Sequence, residues 1–197
     1  MKIDWRAILL CPFEKIAGGA ALLWGVLGLI VSTMISFWAG YHYNGLLHFG
    51  IAPNDLLWVY MVEHLVIWLV PALLFLLGGL ILSKSKVRVL DVIGTTVFAQ
   101  IPMIGMNLFH LLPSSQRMLR LDFSSLSIAD ILEEVLSIKN MLITLLGVMF
   151  LVWAMIWMFN ALKISCNLKG TKLTLWYILT IIVGDILCLN ITSAVTT

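Results

Sequence analysis

Six polar or ionisable side chains lie inside otherwise apolar stretches of the sequence, and they are the residues whose chemistry could matter most. They are Glu63, His64, Gln100, Asn107, His110 and Asp185. An ionised side chain costs several kcal/mol in the hydrocarbon of a bilayer, so carboxylates there are protonated or paired with a histidine or a cation. Counted at about 1.5 Å per residue, Glu63, Gln100 and Asp185 fall near the middle of a membrane. The sequence therefore predicts a buried polar layer.

Two interpretations of this polar layer stay open. In the first, the polar groups only hold helix to helix by hydrogen bonds, each worth about 0.6 to 2 kcal/mol. In the second, Glu63, His64, His110 and Asp185 form a site for a proton, a cation or a metal ion. The sequence has no metal-ligand motif of recognised spacing and no cofactor motif, so neither a metal nor a cofactor is assigned.

The stretch that must position most of these residues runs from 90 to 112. Its 23 residues are long enough, at about 34 Å, to cross a bilayer core of about 30 Å as one helix. Its polar members recur at steps of four and three and so share one helical face: Thr96, Gln100, Met103, Asn107 and His110. A face with unpaired amides cannot point at lipid, which predicts that this helix lies in the middle of a bundle.

Composition defines the class of protein. Hydrophobic residues make up 61% of the 197-residue chain and charged residues 11%, whereas soluble domains carry about 25% charged residues. The chain is therefore expected to be an integral membrane protein with the lipid bilayer as its solvent. A net charge of +2, dispersed over short loops, excludes nucleic acid as a partner. Three cysteines, an odd number, predict no structural disulfide.

Hydropathy predicts an all-α bundle of five transmembrane helices forming one domain, residues 1–197. The expected spans are about 16–39, 56–82, 90–112, 141–162 and 173–195. In the first span small residues recur at steps of three and four, which allows close approach of a neighbouring helix: Gly18, Ala21, Gly25, Gly28 and Ser32. Pro71 is expected to kink the second span.

Two shorter elements are expected at the membrane surface. Residues 1–15 mix charges with apolar residues ahead of Pro12 and predict a short N-terminal interfacial segment. Between spans 3 and 4, Ser127 and Asp130 fit a capping pattern, and an apolar stripe follows as far as Ile138. This pattern predicts an amphipathic helix on the outer surface.

The basic residues of the loops predict the orientation. Nine of the twelve Lys and Arg residues fall on one side of the five spans and three on the other. Cytoplasmic loops carry the excess of Lys and Arg, so the N-terminus is expected in the cytoplasm and the C-terminus outside. The predicted outside loop 40–55 contains no Lys or Arg.

Several segments resemble the Yip family of five-span membrane proteins, the Ypt/Rab-interacting membrane proteins. They are the basic turn SKSKVR leading into VLDVIGTTVFAQIP, the segment FNALKISCNLKGTKLTLWYILTIIVGDIL, and LLCPFEKI, which resembles the start of bacterial members. The resemblance implies a cytosolic N-terminus, a C-terminus outside and a bacterial inner-membrane location. Eukaryotic members carry a long N-terminal region with an Asp-Leu-Tyr-Gly-Pro motif that this chain lacks, so GTPase binding is not implied.

No arrangement of an intramembrane protease is present: the sequence has neither His-Glu-x-x-His nor Gly-x-Ser-x-Gly. The chain is therefore expected not to be an enzyme. The first functional hypothesis is a membrane scaffold or interaction protein that contacts lipid, other membrane proteins or its own copies. The alternative is a small transporter or channel-like protein that uses the buried polar residues as a proton or cation site.

Overall fold

The computed structural model describes residues 9–51, 55–119, 127–128, 132–133 and 136–196. Within these residues, five helical spans are long and apolar enough to cross a membrane, as predicted. Their bounds are Gly18–Ala39, Leu57–Leu82, Val89–His110, Ile138–Ser165 and Gly170–Val195. Each bound lies within three residues of its predicted position. The all-α, five-span class is confirmed.

The elements follow in a simple order. The helices are α1 (Gly18–Ala39), α2 (Leu57–Leu82), α3 (Val89–Phe98), α4 (Met103–His110), α5 (Pro113–Leu119), α6 (Ile138–Ser165) and α7 (Gly170–Thr196). Two short antiparallel strands, β1 (His42–Tyr43) and β2 (Phe49–Gly50), lie between α1 and α2. Neither this hairpin nor α5 is evident from the hydropathy pattern.

The third span is two helices, α3 and α4, where the sequence predicted one continuous helix. The reason is Pro102, which has no N–H to donate to the carbonyl of Phe98. Ile101 N donates to Phe98 O instead, at 3.1 Å, and Met103 N donates to Gln100 O at 2.9 Å. These bonds span three residues, so the backbone tightens between Ala99 and Pro102 before the helix resumes.

The interrupted span lies at the centre of the bundle, as its polar face predicted. Of its most apolar 18-residue window, 56% is buried, compared with 17% to 33% in the other spans. Helix α3 packs against α1, α2 and α6, and α4 packs against α1 and α6. Helix α7 lies at the edge, where α2 is its main neighbour.

Helices α1 and α3 pack closely along the small-residue stripe. A Cβ atom placed on Gly25 would lie 2.6 Å from Val97 Cβ and 2.7 Å from Phe98 N. A Cβ on Gly94, on the opposing helix, would lie 2.6 Å from Gly18 O. The predicted packing function of the stripe agrees with these distances, because there is no room for a methyl group on either side.

The described part of the N-terminal segment docks on α6. Phe13, in the 3-10 turn Pro12–Glu14, is buried against Phe98 and Trp157. The indoles of Trp153 and Trp157 donate to Leu9 O at 2.6 and 2.7 Å. The C-terminal end of the predicted interfacial segment is therefore attached to the bundle. Residues 1–8, and most of the predicted amphipathic helix between spans 3 and 4, lie outside the described residues.

We expect Gly25→Ala to destabilise the fold by about 1–3 kcal/mol, the usual effect of overpacking, because the new methyl meets the backbone of α3. Gly19→Ala is the matched control, since nothing lies within 4 Å of its Cβ position in the same helix. Thermal unfolding of both variants in detergent measures the difference. Equal melting temperatures would show that α1 and α3 are not in close contact.

Candidate functional site

A buried hairpin organises the polar interior of the bundle. We call residues 40–51 the 40–51 hairpin; the sequence predicted an outside loop here. Helix α1 ends at Gly40, whose φ of +62° is readily adopted by glycine, and Tyr41 N donates back to Ser36 O at 3.1 Å. The chain then turns into β1, whose residues His42 and Tyr43 are both buried.

The first buried acid, Glu63 on α2, is bound entirely by this hairpin. Its side chain is completely buried; Oε1 lies 2.8 Å from His42 Nδ1, and Oε2 accepts from Tyr43 N at 3.1 Å. The other ring nitrogen of His42, Nε2, lies 3.4 Å from Oδ1 of Asp55, whose side chain is 80% exposed. The imidazole also stacks on Tyr60, with ring centroids 4.0 Å apart.

This geometry determines the hydrogen bonding of the pair. Both ring nitrogens of His42 face carboxyl oxygens, of Glu63 on one side and of Asp55 on the other. Both oxygens of Glu63 have partners supplied by the hairpin, the imidazole of His42 and the N–H of Tyr43. A buried polar group with such partners has part of its desolvation cost offset.

The second buried acid, Asp185 on α7, binds the other end of the hairpin turn. Its Oδ1 accepts from Leu47 N at 2.9 Å, and its Oδ2 lies 3.0 Å from His48 Nδ1. Two turns further along α7, Thr192 Oγ1 donates to Asn44 O at 2.5 Å. The 40–51 hairpin therefore joins α2 to α7 through two separate acids, each with its own histidine.

Asn107 on α4 connects the hairpin to α1. The hydroxyl of Tyr43 donates to Asn107 Oδ1, and Asn107 Nδ2 donates to Ser32 Oγ at 2.8 Å and to Ser32 O at 3.3 Å. Burial raises the pKa of the Tyr43 hydroxyl well above its ordinary value, so this hydroxyl remains a donor. The buried amide has partners at both ends, as its position inside the bundle requires.

Gln100 replaces a backbone hydrogen bond that Pro71 removes from α2. Pro71 lies inside that helix and cannot donate to the carbonyl of Ile67, four residues earlier. Gln100 Nε2, from the break between α3 and α4, donates to Ile67 O at 3.2 Å. The polar residue in the third span thus satisfies the carbonyl that the proline leaves free in the second.

The two remaining histidines lie apart from the acids. His64 Nδ1 donates to Tyr60 O at 2.9 Å, and within the described residues its Nε2 has no partner. His64 borders a cavity of about 20 Å³ that Ser32, Tyr43 and Gln100 also line, a volume that suits one water. His110 Nδ1 lies 2.8 Å from Ser115 Oγ, and its ring stacks on Tyr41.

The structure gives the predicted site residues separate partners. Glu63 and Asp185 contact different histidines, His42 and His48. The described residues contain no group of three or more His, Cys, Asp or Glu side chains suited to a metal. The hypothesis of a proton or cation site among Glu63, His64, His110 and Asp185 stays a prediction.

Sequence reasoning missed the residues that bind the acids. These are His42, Tyr43 and His48 from the hairpin, with Asp55 and Ser32 behind them. One signal was available: a predicted outside loop free of Lys and Arg contains two histidines and two tyrosines close to the glycine that ends α1. Tyrosine and histidine are buried more often than the charged residues that solvated loops usually carry.

Comparison with known proteins adds no relative. We found no protein-family model that matches the chain, and no curated protein or solved structure that matches it. Function is therefore inferred from the residues of this chain and their geometry. The resemblance to the Yip family remains a hypothesis.

We predict that Glu63→Gln destabilises the protein by about 2–4 kcal/mol, because the amide has one acceptor oxygen and cannot replace the carboxyl group at both His42 and Tyr43 N. Asp55→Asn alters the other carboxylate at the same imidazole, but that side chain is 80% exposed, so the effect should stay below about 1 kcal/mol. Thermal unfolding in detergent compares the two. A larger loss for Asp55→Asn would contradict the assignment of Glu63 as the principal partner.

Proposed function

We propose that the chain is a non-enzymatic membrane protein of the Yip family that acts as a scaffold or interaction protein in a bacterial inner membrane. The observation that supports this proposal is the internal use of the buried polar groups. Glu63 and Asp185 bind the hairpin, Asn107 binds Tyr43 and Ser32, and Gln100 binds α2. A protein whose interior polar groups stabilise its own fold presents mainly its lateral surface to partners.

The lateral surface of α6 is the most extensive candidate for such contacts. Only 17% of its most apolar window is buried, the lowest fraction among the five spans. Most of the exposed residues along it are apolar, for example Leu142, Leu145 and Val152. A surface of this kind is suited to contact lipid or the helix of another membrane protein or of a second copy.

A small transporter is the second candidate, and the break between α3 and α4 is the observation that favours it. Transporters place substrate and ion sites at interrupted helices near the membrane centre. Here Gln100 lies in the break, and the small cavity beside His64 adjoins it. Asp185 would then carry a proton, with His48 as its neighbour.

Purification in native lipids with identification of bound proteins, followed by flux measurements in proteoliposomes, separates the two candidates. The scaffold proposal expects a stable stoichiometric partner, or self-association, and no proton or cation flux. Asp185→Asn retains an oxygen for Leu47 N–H but removes the charge. The scaffold should keep its partner in this variant; flux in the parent that the variant abolishes would overturn the scaffold proposal and support the transporter.

The proposed orientation has its own test. Nine basic residues lie in loops proposed to be cytoplasmic and three in those proposed to be outside. A reporter enzyme active only outside the cytoplasm should be active when fused after Thr197 and inactive when fused at Lys86 or Lys169. Activity at Lys169 would contradict the proposed orientation.

A further inference from the structure

A cavity lies beside the 40–51 hairpin, and neither Glu63 nor Asp185 lines it. It has a volume of about 420 Å³ and opens between α4, α6 and strand β2. Small-molecule sites in proteins commonly have volumes of about 300–1,000 Å³. Most of its wall is apolar or aromatic and includes Phe49, Met106, Phe109, Val148 and Leu151.

One part of the cavity wall is polar. The ring of Tyr41 stacks on His110 with centroids 3.6 Å apart, and His110 Nδ1 lies 2.8 Å from Ser115 Oγ. All three residues line the cavity. Burial raises the pKa of the Tyr41 hydroxyl above its ordinary value, so this group is a hydrogen-bond donor at neutral pH.

The His110 and Ser115 pair can bind either a hydrogen-bond donor or a hydrogen-bond acceptor of a ligand. A neutral imidazole carries its proton on one ring nitrogen or the other, and a serine hydroxyl can donate or accept. Together with Tyr41 they can therefore meet a hydroxyl or a carbonyl oxygen. No Lys, Arg, Asp or Glu side chain among the described residues lines the cavity, so nothing there compensates a charged group.

We propose that this cavity binds a neutral amphiphile whose hydroxyl or carbonyl head hydrogen-bonds to Tyr41 and His110 and whose apolar tail lies along α4 and α6. The apolar wall accounts for the tail, and the uncharged polar wall selects the head. Such a molecule can come from the bilayer as a neutral lipid or from water as a short-chain compound. Molecules from both sources have the same kind of head and tail, and the labelling experiment distinguishes the two sources.

Gly147 allows the cavity to be blocked without disturbing the helices. It lines the cavity on α6, and a Cβ placed on it would meet only Met106 Cγ, at an ordinary contact distance of 3.6 Å. Gly147→Leu therefore puts a side chain into the cavity. Gly19→Leu is the matched control, because it makes the same change at a helix position with nothing within 4 Å.

The experiment uses the full chain in lipid nanodiscs and photoactivatable diazirine alcohols. Hexadecanol is supplied in the bilayer and hexanol in the buffer, with hexadecyl phosphate as the charged comparison, and labelled peptides are mapped by mass spectrometry. We expect labelling of the cavity face of α6 by a neutral alcohol that unlabelled alcohol displaces. Hexadecanol labelling indicates a lipid source, and labelling by hexanol alone indicates an aqueous one.

Gly147→Leu should lower this labelling more than about tenfold, because its side chain occupies the site, while Gly19→Leu should leave it unchanged. Tyr41→Phe removes only the hydroxyl and should weaken binding about fivefold, the loss expected for one neutral hydrogen bond. Tyr177→Phe is its control, because the Tyr177 hydroxyl donates to Met155 O, away from the cavity. If Gly147→Leu does not fold, the comparison of Tyr41→Phe with Tyr177→Phe still tests the hydrogen bond to the head group.

Three results would overturn the proposal. The first is labelling by hexadecyl phosphate equal to that by hexadecanol, which would show no selection for a neutral head. The second is labelling spread evenly over all lipid-facing helices, which would show no site. The third is the absence of a variant effect, seen as full labelling of Gly147→Leu or as equal binding to Tyr41→Phe and Tyr177→Phe.

Discussion

A carboxyl group inside an apolar bundle must be hydrogen-bonded, and the rest of this structure depends on how Glu63 meets that requirement. Its two oxygens take the imidazole of His42 and the N–H of Tyr43, so the hairpin must enter the bundle. Once β1 is held there, the hydroxyl of Tyr43 reaches Asn107 and the following turn reaches Asp185. One buried carboxyl group thereby determines the position of a segment that would otherwise lie at the membrane surface.

The same rule applies to the backbone. In hydrocarbon a carbonyl without a partner is as costly as an unpaired side chain, and both prolines within the spans create this problem. Pro71 is compensated from another span by Gln100, whereas Pro102 is compensated locally by tighter turns. One turn after Pro71 in α2, Trp176 donates to Leu74 O and Cys166 to Phe75 O. Side chains that bind the backbone of α2 between Ile67 and Phe75 therefore connect it to its neighbours.

The five spans and the α1 stripe could be predicted from sequence because both depend on local patterns. An apolar run of sufficient length must be a helix in lipid, and glycines at steps of three and four must share a face. The hairpin could not be predicted in this way. His42 and Tyr43 are buried because Glu63 lies about twenty residues further along the chain, and Leu47 binds an acid 138 residues away. The break at Pro102 was missed because hydropathy continues through it unchanged.

The sequence separation of the hairpin's partners has a consequence for biogenesis. As the chain leaves the ribosome, the hairpin is made directly after α1, and Glu63 follows soon afterwards. The contacts of Leu47 with Asp185 and of Asn44 with Thr192 span 138 and 148 residues, so they wait for the last span to be synthesised. A nascent chain that stops before α7 therefore has only half of the hairpin's anchors, and insertion of the final helix completes them.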